Sequence, residues 1–355
     1  NSLSQRKIMP LKTQTYSDSK KQNQDLNSDE RCRNLPVIDS LPLVAKIEVT
    51  NRCNLSCIMC REKDHSGPFR DLDPALFQKL RPLFPTLLSA YLYGIGEVLT
   101  YPHLNSMIET LLSYDVNVGL ITNGQLIQED LADMWVKNRL YKLSISIDGA
   151  CAPTYEHIRR GGSFDRLLRN LTMIQKKKAL YRTDYPVVTF NYVAMRDSIS
   201  ELPALVDLAA AYGAREVIVN DLIVFFEELE GQALTYEEPE CRDNFDQAAE
   251  RAAQLGVDLH LPAAYRFLSS QTRSREAGTK KEINPCTEVW SGFWLTGEGI
   301  VTPCCYWMKP MGDLKHDNFS TIWNNQNYQQ LRRVVNTPAR SPHCKKCAIC
   351  GMARR

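Results

Sequence analysis

The stretch Asn51-Arg52-Cys53-Asn54-Leu55-Ser56-Cys57-Ile58-Met59-Cys60 contains a C-x3-C-x2-C cysteine triplet just after an apolar run. Three thiolates packed into eight residues can each bind one iron of a cubane [4Fe-4S] cluster, which leaves the fourth iron without a protein ligand. An open iron can bind a small molecule, and the cluster then becomes a catalyst rather than a simple electron carrier. The triplet therefore predicts an iron–sulfur site with one open coordination position.

The triplet also has a simpler interpretation, as part of a structural zinc site. Zinc usually takes four ligands, paired as C-x2-4-C with a distant second pair, and this triplet supplies three. Its spacing resembles that of the radical S-adenosylmethionine (SAM) superfamily. The resemblance implies that the open iron chelates the amino and carboxylate groups of SAM. It also implies that one electron from the cluster releases a 5′-deoxyadenosyl radical, which takes a hydrogen atom from the substrate.

Length and composition are ordinary for a globular protein, with 355 residues, 43% hydrophobic and 24% charged. This length suits one large domain with a small appendage, or two domains. A formal net charge of +2 gives no electrostatic reason to expect a nucleic-acid or membrane partner. No apolar run approaches the roughly 20 residues that span a bilayer, and no signal peptide is expected. Most of the twelve cysteines lie in two clusters, which favours metal ligation in a reducing, cytoplasmic environment.

Strand-like and helix-like segments alternate along the chain, which predicts an α/β fold with parallel strands and right-handed crossovers. Six short apolar segments bounded by Gly, Asn or Asp are the predicted strands, at 43–49, 89–93, 116–121, 142–147, 187–193 and 216–219. Asp73-Pro74 is a typical helix start, with an N-cap acid followed by proline. Further helices are predicted from helical periodicity at 103–114, 127–137, 164–180, 199–212 and 244–255.

The resemblance implies that these units form an open, partial (β/α)6 barrel, in which ligands collect at the carboxyl ends of the strands. The predicted division of the chain has four regions: a disordered or loosely ordered tail at 1–40, the partial barrel at 41–225, a linker or helical segment at 226–283, and a small β-hairpin and helix domain for an auxiliary cluster at 284–355. The tail is predicted from composition, because residues 17–30 are polar and have almost nothing to bury.

Three motifs at consecutive predicted strand ends resemble the SAM-binding motifs of the superfamily. Tyr93-Gly94-Ile95-Gly96-Glu97 follows the second strand, and its glutamate is expected to accept from the ammonium group of SAM. The third and fourth strands end in Thr122-Asn123-Gly124 and Ser146-Ile147-Asp148-Gly149. Each motif alone is typical of a tight turn, but together and in order they favour a SAM site. The resemblance implies contacts to SAM from Gly94, Gly96, Glu97, Thr122, Asn123 and Ser146.

The segment His157-Ile158-Arg159-Arg160-Gly161-Gly162-Ser163-Phe164-Asp165 resembles another conserved segment of the superfamily, Ile-Arg-Gly-x-Gly-Ser-Phe-Asp. The resemblance implies an arginine that binds the SAM carboxylate with two nitrogens. Alignment favours Arg160, which precedes the glycine, and Arg159 is the close alternative. Residues at the ends of the fifth and sixth strands are expected to flank the adenine or to be ordinary strand residues: Asn191, Val193, Val219 and Asn220.

A second group of cysteines lies near the C-terminus, where Cys286, Gly299 and Cys304 form a C-x12-G-x4-C pattern. The pattern resembles the auxiliary-cluster domain called SPASM, or its shortened form, Twitch. The resemblance implies one auxiliary [4Fe-4S] cluster with four thiolate ligands, which can transfer electrons but cannot bind substrate. The implied ligands are Cys286, Cys304, Cys344 and Cys347. Cys305 and Cys350 remain unassigned, and a zinc site of the C-x2-C type is the alternative.

The leading hypothesis for the reaction is dehydrogenation of an alcohol carbon in a small carbohydrate or aminocyclitol, with the auxiliary cluster as electron acceptor. It rests on the resemblance to Twitch enzymes such as aminocyclitol dehydrogenases. One alternative is a radical epimerase with a cysteine as hydrogen donor, for which the unassigned candidates are Cys151, Cys241, Cys305 and Cys350. Two others are a maturase of a ribosomal peptide and, in a different class, a zinc-binding scaffold protein.

The sequence does not single out a catalytic base or hydrogen donor. Weak candidates are Glu288, Cys305 and Cys350, and further polar residues in predicted loops near the barrel mouth are Glu227, Glu228 and His65. The expected cofactors are the SAM-binding [4Fe-4S] cluster, one auxiliary [4Fe-4S] cluster and SAM. The expected partners are a small-molecule substrate, with a peptide as the alternative, and a flavodoxin-like or ferredoxin-like electron donor.

Overall fold

A computed structural model of the chain describes residues 16–63, 67–262, 265, 285–304, 309–345 and 347. Within this part, ten strands form one sheet in the order β10-β9-β8-β1-β2-β3-β4-β5-β6-β7. The strands are β1 Val44–Glu48, β2 Ser89–Tyr93, β3 Asn117–Thr122, β4 Lys142–Ser146, β5 Val187–Ala194, β6 Glu216–Asp221, β7 Asp258–His260, β8 Gly292–Leu295, β9 Ile300–Thr302 and β10 Gly312–Asp313.

Strands β1 to β7 pair in parallel in chain order, as the alternating pattern predicted. The helices of the described residues are α1 Asp18–Cys32, α2 Pro74–Gln78, α3 Leu104–Ser113, α4 Glu129–Lys137, α5 Ala152–Ile158, α6 Phe164–Leu180, α7 Leu202–Ala211, α8 Pro239–Leu255, α9 Glu288–Ser291, α10 Phe319–Trp323, α11 Gln326–Val334 and α12 Pro342–Lys345. This parallel α/β architecture brings the carboxyl ends of the strands to one edge, where all the predicted SAM motifs lie.

Helix caps and buried stripes explain where the helices form. Asp73 accepts a hydrogen bond from the backbone N–H of Ala75 at 2.8 Å, which confirms the predicted start of α2. Helix α6 begins after Ser163, whose hydroxyl accepts from the N–H of Arg166 at 3.3 Å. It buries Phe164, Leu167, Leu171 and Ile174 along one face. These side chains join one hydrophobic core with the strands of the sheet.

The predicted tail at residues 1–40 is wrong for the part that the structure describes, because α1 is a docked helix. The Asn27 amide donates to the carbonyl oxygen of Trp290 at 2.6 Å and to Ser40 Oγ at 3.0 Å. The Glu30 carboxylate accepts from the N–H groups of Asp39 and Ser40 at 2.6 and 3.1 Å. Polar contacts, rather than an apolar stripe, hold α1, and hydrophobic patterning does not detect such contacts. Residues 1–15 lie outside the described residues.

The C-terminal hairpin is part of the main sheet rather than a separate unit. Strand β8 pairs in parallel with β1, with Val44 opposite Gly292 and Ile47 opposite Leu295. The hairpin β8–β9 turns at Gly299, whose φ of +89° lies in the left-handed region that favours glycine. The segment 226–283, predicted as a linker or helical region, contains α8 and also a seventh parallel strand, β7. None of the helices in the described part of the chain is long and apolar enough to cross a membrane.

Candidate functional site

The cysteine triplet lies in the loop after β1, and backbone hydrogen bonds fix this loop against the end of α5. The N–H of Ser56 donates to the carbonyl of Arg160 at 2.9 Å, and the N–H of Ile58 donates to the carbonyl of Ile158 at 3.0 Å. A small buried cluster packs around Cys57, and it includes Leu55, Met59, Ile158, Met195 and Leu229. The positions of the thiols are therefore set by the fold.

Gly94 and Gly96 allow the backbone after β2 to lie close to the backbone after β1. A Cβ on Gly96 would lie 2.3 Å from the carbonyl oxygen of Arg52, and one on Gly94 would lie 2.6 Å from Glu48 Cγ. The N–H of Gly96 donates to the carbonyl of Thr50 at 3.2 Å, and the N–H of Glu97 donates to that of Arg52 at 2.7 Å. In this structure the Gly-x-Gly-Glu turn therefore holds the start of the cysteine loop.

The Glu97 carboxylate does not reach into an open ligand site, contrary to the expectation that it binds the SAM ammonium. The residue is 2% exposed. Its Oε1 accepts from the Thr122 hydroxyl at 2.6 Å and from the N–H of Leu99 at 3.1 Å, while Oε2 accepts from the N–H of Asn123 at 2.7 Å. Thr122 is likewise buried. Both residues link the end of β3 to the cysteine loop and act as supports for the site.

Replacement of Glu97 with glutamine is expected to weaken SAM binding about tenfold, the scale of losses when a supporting hydrogen-bond partner is changed. The backbone N–H groups of Leu99 and Asn123 each donate to a carboxylate oxygen of Glu97. The NH2 group of glutamine is itself a donor, so one of these N–H groups would lose its acceptor. Isothermal titration of the cluster-loaded protein with SAM measures the effect. Glu109→Gln, on α3, is the control. An unchanged affinity would contradict the supporting role.

Asn123 is the motif residue that contacts the cysteine loop directly. Its amide nitrogen lies 3.9 Å from Cys53 Sγ and donates to Asn54 Oδ1 at 2.9 Å. The N–H of Leu55 also points at Cys53 Sγ, at 3.5 Å. Donors of this kind stabilise negative charge on sulfur ligands. These two donors would stabilise Cys53 as a thiolate ligand, although its burial disfavours the free anion.

The strand register places most of the predicted adenine-binding residues on one face of the sheet and one of them on the opposite face. Ser146 on β4 lies opposite Asn191 on β5, and Val193 lies opposite Asn220 on β6. Because side chains alternate along a strand, these four positions share one face. Val219 points to the other face and is 3% exposed within the core, so its side chain does not face the predicted adenine site. Ile218 lies opposite Asn191 and therefore shares the face of the predicted adenine residues. Its position two residues before Asn220 on β6 would have indicated this from the sequence.

Arg159 and Arg160 have different surroundings. Arg160 is exposed, and its backbone carbonyl accepts from the N–H of Ser56 in the cysteine loop. Arg159 has a side chain that is 12% exposed, and its Nη2 lies 2.6 Å from Asp148 Oδ2. Its Nη1 lies 3.8 Å from Cys57 Sγ. The structure therefore brings Arg159, rather than Arg160, to the predicted cluster.

The donor set of this loop fits an anionic cluster. Burial raises the pKa of the Cys53 thiol to about 11 and raises that of Cys57, where the Arg159 charge opposes the shift. Metal binding must therefore displace protons from these thiols. No three His, Cys, Asp or Glu side chains of the described residues converge on a single-ion site. Each thiolate of a cubane binds a different iron, so Cys53, Cys57 and Cys60 need not meet at one point.

The four predicted auxiliary ligands are Cys286, Cys304, Cys344 and Cys347, and all are partly buried. Asn336 fixes Cys286 on both sides, since its side chain accepts from the cysteine N–H at 2.8 Å and donates to the carbonyl at 3.1 Å. The N–H of Cys347 donates to the carbonyl of Cys344 at 3.4 Å. Cys305 and Cys350 lie outside the described residues. The assignment of these ligands stays a prediction.

The candidate residues for a catalytic base have different surroundings. Glu288 is engaged by Lys46 in a salt bridge of 2.6 Å, and Glu227 and Glu228 are exposed on a short 3-10 turn at Glu227–Gln232. His65 lies outside the described residues. Sequence reasoning missed Glu48, the last residue of β1, which is 6% exposed. Its carboxylate accepts from the N–H of Gly297 in the hairpin, and burial raises its pKa.

Two family profiles match the chain. The profile of the radical SAM superfamily matches residues 47–209, and the SPASM iron–sulfur cluster-binding domain matches residues 286–350. The AdoMet-dependent heme synthase of Methanosarcina barkeri is 23% identical over 342 residues, which cover 88% of this chain and 91% of that protein. The tungsten-containing aldehyde ferredoxin oxidoreductase cofactor-modifying protein of Pyrococcus furiosus is 26% identical over 188 residues, which cover 50% of this chain and 51% of that protein. The chain thus spans about half the length of that second relative.

The fold also matches solved structures. Streptococcus suis SuiB bound to S-adenosylmethionine superposes with a TM-score of 0.66 at 16% identity, over 96% of this chain and 78% of SuiB. SuiB bound to precursor peptide SuiA superposes with a TM-score of 0.63 at 15% identity, over 94% of this chain and 74% of SuiB. At this level of identity the likeness shows the fold.

Proposed function

We propose a function from the premise that this chain belongs to the radical SAM superfamily and carries a C-terminal SPASM-type iron–sulfur domain. The proposal is oxidation of a substrate carbon that loses one hydrogen atom, one proton and one electron. SAM and the two clusters, when bound, would supply the hydrogen-abstracting 5′-deoxyadenosyl radical and the electron acceptor. The observation that carries the proposal is the cysteine loop, which is fixed at the strand ends directly after β1. Strand β1 also pairs with β8 of the hairpin β8–β9, and Cys286 and Cys304 lie on either side of this hairpin in the sequence.

The proposed substrate is an alcohol carbon of a small carbohydrate or aminocyclitol, which becomes a carbonyl. SAM and the auxiliary cluster, when bound, would take up the hydrogen atom from carbon and the remaining electron, and a base of this chain would accept the hydroxyl proton. A low-potential donor of the flavodoxin or ferredoxin class would supply the electron that cleaves SAM. Four thiolates in the hairpin domain would support an electron-transfer role, because such a cluster has no open iron.

The test uses the anaerobically reconstituted full chain with SAM and reductant. A panel of sugars and aminocyclitols, deuterated at the carbinol carbon, should give deuterated 5′-deoxyadenosine and one ketone per deoxyadenosine. Deoxyadenosine without an oxidised product would contradict dehydrogenation. An epimer formed from undeuterated substrate in D2O, one mass unit heavier than the substrate, would instead support the epimerase. A colourless protein loaded with zinc would support the scaffold.

Glu48 is the residue we propose as the proton acceptor. It lies on the same face of β1 as Lys46, beside Gly94 of the Gly-x-Gly-Glu turn and Gly297 of the hairpin. It makes no salt bridge among the described residues, since Arg70 pairs with Glu298 at 3.4 Å instead. A buried carboxylate whose pKa is raised by burial suits general-base catalysis.

Glu48→Gln is therefore expected to uncouple SAM cleavage from oxidation of the substrate. SAM cleavage should continue, while the ratio of ketone to deoxyadenosine should fall about 100-fold, as expected when a general base is lost. Glu298→Gln, which removes a more exposed acid beside it, is the matched control. Liquid chromatography with mass detection of both products gives the ratio. An unchanged ratio would exclude Glu48 as the acceptor.

A second candidate, modification of a larger substrate with apolar groups such as a peptide, is favoured by one surface feature. Ile223, Val224 and Phe225 lie two to four residues after the end of β6, at the carboxyl edge, and are 55%, 40% and 45% exposed. Their neighbours Leu222 and Phe226 pack against the cysteine loop. An apolar run beside the site is of little use to a polyhydroxylated substrate. Replacement of all three residues with serine would lower turnover of such a substrate while leaving deoxyadenosine formation without substrate unchanged.

A further inference from the structure

Arg159 and Asp148 form a buried ion pair directly beneath the cysteine loop. Arg159 Nη2 lies 2.6 Å from Asp148 Oδ2, and the Asp148 side chain is fully buried. The second carboxylate oxygen, Oδ1, accepts from the N–H of Val193 at 2.7 Å. Asp148 is thus held by β5 on one side and holds the guanidinium on the other. A charge fixed in this way cannot swing out to solvent.

Backbone pairing sets Arg159 opposite Cys57. Ser56 and Ile58 flank the cysteine, and their N–H groups donate to the carbonyls of Arg160 and Ile158, which flank the arginine. The Arg159 N–H donates to the carbonyl of Tyr155 at 2.8 Å, which closes the end of α5. With both backbones fixed, Nη1 lies 3.8 Å from Cys57 Sγ, within hydrogen-bond distance for sulfur. The contact therefore does not depend on the chance position of a flexible side chain.

We propose that Arg159, held by Asp148, is a positioning residue that donates to the Cys57 thiolate and favours the reduced state of the SAM-binding cluster. This role differs from the carboxylate grip that the sequence resemblance implies for one of the two arginines. The inference rests on the proposed function, because it requires that Cys57 ligates a cluster. Its physical basis is general: a hydrogen bond and a positive charge at a ligand sulfur stabilise the added electron.

The low exposure of the pair makes this effect large enough to measure. Charges near a buried sulfur are screened far less than charges at the surface. Asp148 offsets part of the guanidinium charge, but Arg159 Nη1 is the group that contacts the sulfur. Arg159 Nε, which is buried, has no hydrogen-bond partner in the described part of the chain. The guanidinium thus retains one further donor for a ligand of the cluster.

The experiment measures the cluster without SAM. The reconstituted full chain is poised at a series of fixed potentials, and electron paramagnetic resonance quantifies the signal that later addition of SAM perturbs. For Arg159→Gln, the ratio of reduced to oxidised cluster at a given potential is expected to fall about tenfold, equivalent to 59 mV for a one-electron couple. Arg159→Lys, which keeps the charge, should recover part of this loss. Arg166→Gln removes an exposed arginine of α6 and should leave the ratio unchanged.

Two results would overturn the inference. One is an unchanged ratio in Arg159→Gln together with weaker SAM binding, which would assign the arginine to the SAM carboxylate. The other is a ratio that Arg159→Lys leaves as low as Arg159→Gln does, which would show that the charge plays no part. If the unaltered protein forms no cluster that SAM perturbs, the proposed function itself fails, and that outcome is distinct from both.

Discussion

Replacement of Cys57 with alanine is expected to abolish reductive cleavage of SAM. The residue lies at the centre of the C-x3-C-x2-C loop and is 7% exposed, with its thiol facing the Arg159 guanidinium. Loss of one of three ligands leaves a cubane with too few thiolates to remain bound. We expect 5′-deoxyadenosine formation to fall at least about 100-fold and iron content to fall by about four atoms per chain. Anaerobic assay and iron determination check both numbers.

The control for this variant is Cys32→Ala. Cys32 is an exposed cysteine at the end of α1, far along the sequence from either cysteine cluster. Its replacement should change neither iron content nor SAM cleavage. If Cys57→Ala keeps the SAM-perturbed signal and forms deoxyadenosine at the rate of Cys32→Ala, the cluster assignment of the triplet is wrong.

The second large effect is expected on stability, from Arg332. This residue of α11 is 1% exposed. Its Nε donates to the carbonyl of Val289 at 2.9 Å, and its Nη1 donates to the carbonyl of Pro36 at 3.2 Å and to Asn324 Oδ1 at 3.0 Å. The guanidinium also stacks over the Trp323 ring at 4.7 Å from its centroid. One side chain therefore joins the segment after α1, helix α9 and the end of α10.

Arg332→Met keeps much of the side-chain volume but removes every donor. The carbonyls of Pro36 and Val289 then lose their partner in a buried site, which costs about 1–3 kcal/mol for each unsatisfied group. We expect the free energy of unfolding to fall by about 3 kcal/mol. Chemical denaturation of the metal-free chain, followed by tryptophan fluorescence, measures the change. Arg333→Met, at the exposed neighbouring position, should lie within about 0.5 kcal/mol of the unaltered protein. Equal effects of the two substitutions would refute this account of Arg332.

Patterns local in the sequence predicted much of the fold. The strand at 89–93 and the helix at 164–180 match the structure at both ends. Apolar runs of five or six residues and a helical repeat of buried positions are properties of a short window, so they can be read without the fold. Helix α1 was missed because its buried residues, Lys20, Asn23, Asn27 and Glu30, are polar. Their partners lie in other parts of the chain, such as Trp290.

The candidate site was predicted as a set of motifs but not as a set of contacts. Glu97 and Thr122 were expected at the ligand and instead bond to each other. Val219 was expected beside the adenine, whereas the register gives that face to Ile218 and Asn220. A strand position one residue away points to the opposite face. Glu48 and Asp148 were recognised as candidate functional residues only from their burial. Burial depends on neighbouring residues that the whole sheet supplies.

The sequence by itself determined where the first six strands and both cysteine groups lie along the chain, because spacing and periodicity are encoded within short stretches of chain. Only the tertiary structure decided that β8 continues the sheet beside β1, that α1 docks through polar contacts, and that Arg159 rather than Arg160 faces Cys57. Those outcomes depend on pairs of residues far apart in sequence. The contact energy of such a pair is gained only after folding has brought the two residues together.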